Sequence, residues 1–214
     1  MIKVEKIDVW GIDHAIRGMR NPMNSWDKSD SRYATALDEA TIANVKKGEF
    51  ILGENDLDLM RRLYNAGSEH RKYLRQIFVS FDITAPLYWW KEFDTYKVGT
   101  TANSCSTMHK IHSKNLTLED FSTEHLTKFS KDALKKYIGV IDMYCDEYNN
   151  SKQKKDWWQI IQLLPSSYNQ KRTITMNYEN VITMIKQRTG HKLNEWNAFV
   201  AILKNLPYIS EIMA

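Results

Sequence analysis

The sequence predicts an α+β fold, an antiparallel or mixed β-sheet packed with long helices. Ile77, Val79, Phe81 and Ile83 alternate with Phe78, Ser80, Asp82 and Thr84, the period-two pattern of a half-buried strand. Leu134, Tyr137, Ile138, Ile141, Tyr144 and Tyr148 recur at helical spacing instead, as the apolar stripe of an amphipathic helix does. Nothing in the chain repeats internally, and no stretch is of low complexity.

A chain of 214 residues with 43% hydrophobic content suits one domain over residues 1–214, with a helical segment at about 115–165 and a sizeable core. The net charge of +4 and pI near 8.9 suit an anionic small ligand or weak nucleic-acid contact without requiring either, an ordinary solvated surface being the commoner case. Cys105 and Cys145 offer neither a disulfide framework nor a metal spacing, which points to a reducing compartment. No stretch approaches the roughly 20 apolar residues of a membrane span. The opening MIKVEKIDVWG lacks an apolar signal core. The expectation is a cytoplasmic protein with no membrane partner.

Residues 2–10 read as the first strand, with Val4, Ile7 and Val9 as β-branched positions. Pro22 disfavours helix at Asn21, so residues 21–31 read as an ordered polar loop. Arg17 and Arg20 beside it are candidate phosphate contacts, because guanidinium groups match phosphate oxygens bidentately; a capped surface loop is the equal alternative. Residues 56–65 read as a helix, with Leu59 and Leu63 one turn apart and Gly67 placed to end it. Glu69 and His70 precede the central strand, where a histidine with a satisfied ring is the commoner role. Arg71, Lys72 and Arg75 face ligand or solvent.

Past that strand, Pro86, Tyr88, Trp89 and Trp90 turn the chain toward a helix. Tyr88, Trp89, Trp90 and Tyr96 are candidates for stacking a base, with core packing the commoner role for the tryptophans. A polar run follows Gly99, through Thr100, Thr101, Asn103, Ser104, Ser106 and Thr107 to His109. It is too poor in apolar residues for a core element, and it is expected to line a pocket. Residues 115–149 read as helical, opened by Thr117 with Asp120, the stripe serving as core or subunit interface. SKQKK at 151–155 reads as a solvated turn. Trp157, Ile160, Ile161 and Leu164 repeat at helical spacing until Pro165 stops them. Residues 173–176 form a short strand. Asn177 then opens a helix with Val181, Met184 and Ile185 inward, followed by a second with Trp196, Phe199, Val200 and Leu203.

The polar run resembles a worn form of the signature of flavin-dependent thymidylate synthases, R-H-R-x-x-S-x-N-E-x-S-x-R-Y. With Asn103 on the motif Asn, Ser106 falls on the second motif Ser and Thr101 replaces the first. The R-H-R triplet becomes Tyr96, Lys97 and Val98, the Glu becomes Ser104, and the closing Arg-Tyr becomes Met108 and His109. Two further features are similar to the family: Glu69-His70 before the central strand, and the order Leu164-Pro165, threonine-rich strand, Asn177, Arg188, helix with Glu195. The resemblance implies a thymidylate synthase complementing protein-like fold and a homotetramer with sites shared between subunits. It places Asn177 at a flavin-binding position, Arg188 at a nucleotide-binding one, and Arg20 at that of an early nucleotide-site Arg. The family's Arg two residues after the Asn is Glu179 here.

In the resembled enzymes a flavin carries hydride and a folate supplies the methylene for dUMP, while the protein positions charges. Lys97 leaves one flexible cation where the family has two rigid forks. Each charged hydrogen bond lost is worth on the order of 1.5–3 kcal/mol, so two or three losses weaken an anionic ligand by several powers of ten. What survives is a polar set: Lys97, Thr100, Thr101, Asn103, Ser104, Ser106 and His109, with Arg20, Asn177 and Arg188. The expected function is a nucleotide-binding protein with ordinary flavin chemistry lost, its ligand a nucleotide-type small molecule and not a specific nucleic acid. Sequestering a nucleotide-derived signal, as viral anti-defence sponges do, is one version. The alternative is an active, divergent FAD-dependent synthase methylating dUMP to dTMP, with Arg17, Arg20, Arg71, Arg75 or Lys91 replacing the missing cations. A third reading is an oligomeric scaffold. No catalytic residue is assigned. There is no nucleophile elbow, no metal-ligand spacing around the His109 and His112 pair, and no P-loop or dinucleotide fingerprint.

Overall fold

The computed structural model describes residues 2–214. In chain order its elements are β1 (Lys3–Trp10), α1 (Ile12–Arg20), β2 (Arg32–Tyr33), α2 (Ala36–Thr41), β3 (Phe50–Ile51), α3 (Glu54–Asn65), β4 (Phe78–Pro86) and α4 (Leu87–Phe93). They continue with β5 (Thr100–Ser104), α5 (Lys128–Ser151), α6 (Lys154–Leu163), β6 (Asn169–Asn177), α7 (Tyr178–Arg188), α8 (Asn194–Lys204) and α9 (Ile209–Met213). Four strands form one sheet in the order β1-β4-β6-β5, and β2 pairs with β3 antiparallel in a small second sheet. No helix among the described residues is long and apolar enough to cross a membrane. The chain divides into two compact units.

Among the described residues, one unit holds 2–7, Ser80–Thr175 and Gly190–Phe199. Phe81, Ile83 and Ala85 point alternately into its core and are fully buried, as the period-two pattern requires. The opposite face of β4 is polar. Ser80 Oγ and Thr175 Oγ1 lie 2.6 Å apart, and Asp82 accepts from Thr173 at 2.7 Å and pairs with Lys171 at 2.9 Å.

Trp89 and Trp90 are core, not a platform for a base. Trp89 is enclosed by Trp196, Trp90 and Phe199, with ring centroids at 4.7, 4.9 and 5.4 Å. Its indole N–H finds no acceptor among the described residues, and such an orphan costs about 1–3 kcal/mol; ring burial on all sides offsets it. Trp90 donates to the Gln170 carbonyl at 3.0 Å, and the Arg172 guanidinium lies 4.2 Å from its ring centre. Tyr88 is tied through its hydroxyl to the buried Glu195.

The apolar stripe of α5 packs within the chain. Ile138, Ile141 and Cys145 join Ile160 of α6 and Ile111, Leu116 and Phe121, with Tyr137, Tyr144 and Tyr148 at the margin. The long helix starts at Lys128, not at residue 115. Thr117 and Asp120 do form a reciprocal capping box, but it closes a three-residue turn at Leu118–Asp120. Phe121 then bridges to Tyr168, and Thr127 makes the true cap through the Ser130 N–H.

The other unit holds Asp8–Val79, Met176–Thr189 and Val200–Ala214. Ile77, Val79, Val181, Met184, Ile185 and Leu203 are buried there. Tyr178 donates to the Pro207 carbonyl at 3.0 Å, and Tyr73 to that of Met60 at 2.8 Å. Gly11 opens α1 at φ 87°, and a Cβ there would lie 2.3 Å from the Gln76 carbonyl oxygen. Both the backbone and the space therefore demand glycine.

Candidate functional site

Arg17 and Arg20 lie on α1 and not in a loop, because the helix runs on to Arg20 before Pro22 turns it into short 3-10 turns at Asn21–Met23 and Trp26–Lys28. Asp13, Ile16, Arg17 and Arg20 share one face at i, i+3, i+4, i+7 spacing. Together with Trp26, Ser29, Ser31, Arg32, Tyr33 and Phe50 that face encloses a cavity of about 340 Å³.

The cavity is organised from behind by Asp56, which is fully buried. Its carboxylate accepts from Arg20 Nε at 2.6 Å, from the Ser29 and Ser31 hydroxyls at 2.7 and 2.6 Å, and from the Asp30 and Ser31 N–H groups at 3.2 and 3.0 Å. Burial alone would raise the Asp56 carboxyl; the bonds from Ser31, Ser29 and Arg20 outweigh it and hold the group below the ordinary carboxylate value. Asp30 in turn receives the Asn55 and Asp56 N–H groups at the start of α3. The loop from Asn21 to Ser31 is thereby stitched to α3.

The three guanidiniums differ in what they have left to offer. Arg20 is buried and also donates to the Ser25 carbonyl at 3.2 Å. Arg32 forks onto Asp38 with two bonds of 2.6 Å, and that bond, with those from Thr35, pulls the Asp38 carboxyl far below its usual range. Arg17 is exposed and donates to His14 Nδ1 at 3.3 Å. Among the described residues it pairs with no carboxylate. The walls are aromatic: Tyr33, whose hydroxyl donates to Asp13 at 3.0 Å, meets Phe50 edge-on at 5.3 Å, and Trp26 donates to Asn21 Oδ1 at 2.8 Å. Chemically this is a place for an anion beside a planar ring, since guanidinium fits phosphate and exposed aromatic faces stack bases.

Of the residues singled out from the sequence, Arg20 stands in this cavity with its Nε committed to Asp56. Asn177 and Arg188 belong to the same unit but mark opposite ends of α7, so about 16 Å of helix separates them. Asn177 caps that helix, its Oδ1 accepting the Asn180 N–H at 3.0 Å. Lys97 sits exposed on the turn before β5, and Thr101, Asn103 and Ser104 are exposed on that edge strand. The run is thus an edge of the sheet, half-buried at Thr100 and exposed from Thr101 to Ser104. Ser106 spends its hydroxyl on the Met108 and His109 N–H groups at 3.2 and 2.9 Å. His109 itself lies in a separate groove beside Tyr148 and Trp157.

Glu179, standing where the resembled family has an arginine, accepts from both Arg71, at 3.2 Å, and Arg75. Burial pushes the Glu179 carboxyl up, but the two arginines override this and hold it low. Glu69 and His70 line another cavity of about 670 Å³ with Asn21, Ser25, Lys72 and Gln76. The sequence reading missed Trp26, Arg32, Tyr33 and Asp56; an aspartate on the apolar-facing side of a helix is the one local signal that marked Asp56.

No protein-family model and no curated protein matches the sequence. Solved structures do match along nearly the whole chain. Thymidylate synthase X from Helicobacter pylori with FAD and dUMP superposes with a TM-score of 0.66 at 13% identity, over 99% of this chain and 97% of that one. The chain has the fold of the flavin-dependent thymidylate synthases. A second structure of the Helicobacter pylori enzyme, complexed with FAD and dUMP, gives 0.65 at 15% identity over 97% and 98%. The UMP/dUMP methylase PolB from Streptomyces cacaoi, bound with 5-Br UMP, gives 0.63 at 12% identity over 100% and 93%.

Proposed function

We propose that the protein is a divergent member of this family that binds a nucleotide-type small molecule and no longer performs its ordinary flavin chemistry. The observation that carries the reading is Arg17. It is an exposed guanidinium without a carboxylate partner among the described residues, at a cavity walled by Trp26, Tyr33 and Phe50. The superposed structures contain dUMP or 5-Br UMP, which supports a uridylate-like ligand for this chain.

The donor set fits a flavin dinucleotide poorly. A diphosphate needs cations, yet Arg20 is held by Asp56, Arg32 by Asp38, and Arg71 and Arg75 by Glu179. Val98, in place of a motif arginine, is 89% exposed. Binding without conversion suits a protein that sequesters a nucleotide or a nucleotide-derived signal, the viral anti-defence version included. The exposed Thr101, Asn103 and Ser104 on the β5 edge suit a site completed by a second copy in a homotetramer, and a cytoplasmic setting follows from such ligands.

Thermal unfolding with a nucleotide panel tests this, because a ligand that binds only the native state raises the midpoint. UMP and dUMP are expected to raise it. Arg17→Ala is expected to remove the shift, and Lys204→Ala to leave it; loss of the shift in Arg188→Ala as well would extend the site beyond the Arg17 cavity to the end of α7. No shift with any linear or cyclic nucleotide in large excess would end the binding reading. A yellow preparation that converts dUMP to dTMP when given a methylene-bearing folate and a reductant for the flavin would replace it with the divergent synthase.

A further inference from the structure

The turn between α5 and α6 faces a groove of about 280 Å³ lined by His109, Tyr148, Lys152, Lys154 and Trp157. Four of the five members are held in place by the local chain, and the ammonium of the fifth, Lys154, lies 5.9 Å from the Trp158 ring centre. Lys152 ends α5 in the left-handed conformation, φ 53°, and its N–H returns to the Tyr148 carbonyl at 2.8 Å. That turn brings its ammonium to 5.6 Å from the Tyr148 ring centre. The same ring meets His112 edge-on at 4.7 Å, itself bonded to Asn149 at 2.9 Å. Trp157 donates its indole N–H to the Met108 carbonyl at 2.8 Å, which, with the Ser106 bonds, sets the neighbouring His109 against α6.

The charge is one-sided. None of the five lining residues is acidic, and among the described residues neither Lys152 nor Lys154 pairs with a carboxylate. The nearest acid in the turn, Asp156, is buried and occupied by the Ser151 hydroxyl at 2.6 Å. Two uncompensated ammonium groups attract an anion, and the adjoining rings favour one that carries a planar base. The volume falls just below the roughly 300–1,000 Å³ of ligand pockets, which suits a single unit and is too little for an oligomer.

We propose that this groove is a binding site for one phosphorylated nucleoside, its phosphate on Lys152 and Lys154 and its base against Tyr148 and Trp157. The site shares no residue with the Arg17 cavity, and does not rest on the reading of that cavity.

Nuclear magnetic resonance of the full chain, labelled at tryptophan and histidine, tests it with UMP, uridine and inorganic phosphate as probes. UMP is expected to shift the Trp157 indole and His109 resonances, binding about tenfold or more tightly than phosphate alone, the size of a stacked base's contribution. Uridine is expected to be weaker by a similar factor. Lys152→Asn with Lys154→Gln should abolish these shifts; asparagine tolerates the left-handed backbone, so the fold is retained, and circular dichroism checks that it is. Arg17→Ala should leave them intact. Phosphate binding as well as UMP would reduce the groove to an anion patch. Shifts that survive the double substitution, or that never reach Trp157 and His109, would overturn the site while leaving the Arg17 cavity untouched.

Discussion

Arg20 Nε and Asp56 Oδ1 are 2.6 Å apart, and both side chains are almost wholly removed from water. A buried pair of this kind is weak evidence of net stabilisation, because desolvation of the two charges opposes their attraction, but breaking it strands the survivor. Arg20→Ala is therefore expected to destabilise the chain by about 3–5 kcal/mol, read as a lower urea midpoint at unchanged slope. Since Asp56 also gathers Ser29 and Ser31, loop mobility by hydrogen exchange should rise in residues 21–31 specifically. A loss below about 1 kcal/mol would mean that water or another donor takes over.

Acid should act through the same carboxylate. Asp56 titrates below its ordinary value in the folded chain, as does Glu179. A depressed carboxyl stabilises the fold fully above the unfolded value of about 4 and loses that contribution as pH falls through the folded one. The thermal midpoint is expected to fall as pH drops from about 5 toward 2. Asp56→Asn should lower the neutral-pH midpoint and flatten the acid slope. An unchanged slope in that variant would show that other groups govern acid unfolding.

The Glu179 clamp makes a separate prediction about ligand. Glu179→Gln releases Arg71 and Arg75 while keeping the side chain's shape. The pair is partly exposed, Arg75 by half, so the stability change should stay within about 1 kcal/mol. Nucleotide affinity is expected to rise several-fold at low salt, with the gain shrinking as salt screens it. A gain indifferent to salt, or none at all, would place these arginines outside the ligand's field.

Burial leaves a period in the sequence, which is why so much of the scaffold was readable. Val79, Phe81 and Ile83 announced β4, and Val181, Met184 and Ile185 announced α7, since one face of each must be apolar. The tryptophans of α4 sit in the core for the same reason. The start of α5 was not readable: Thr117 with Asp120 and Thr127 with Ser130 are both plausible caps, and only the Phe121–Tyr168 bridge decides which one a long helix follows. The candidate cavity was harder still. Arg20, Ser29 and Ser31 meet through Asp56, 25 to 36 residues away, and a partnership over that distance has no local spacing to betray it. The polar run after Gly99 lacks apolar residues because β5 is an edge strand exposed from Thr101 to Ser104, a state that sequence alone does not distinguish from the wall of a pocket.

Asn177 separates a structural from a ligand-binding role in one residue. Its Oδ1 caps α7, so Asn177→Ala is expected to remove about 1 kcal/mol, at most about 2. Asn177→Asp keeps an acceptor at the cap and adds a negative charge where the helix dipole favours one, worth about 0.3–1 kcal/mol. The aspartate loses the amide donor, however, and repels a phosphate. If Asn177 also serves the nucleotide, Asn177→Asp should restore the urea midpoint to that of the parent chain while the UMP-induced thermal shift stays reduced. Recovery of both together would leave Asn177 a cap alone, and the ligand site would have to be drawn around Arg17 without it.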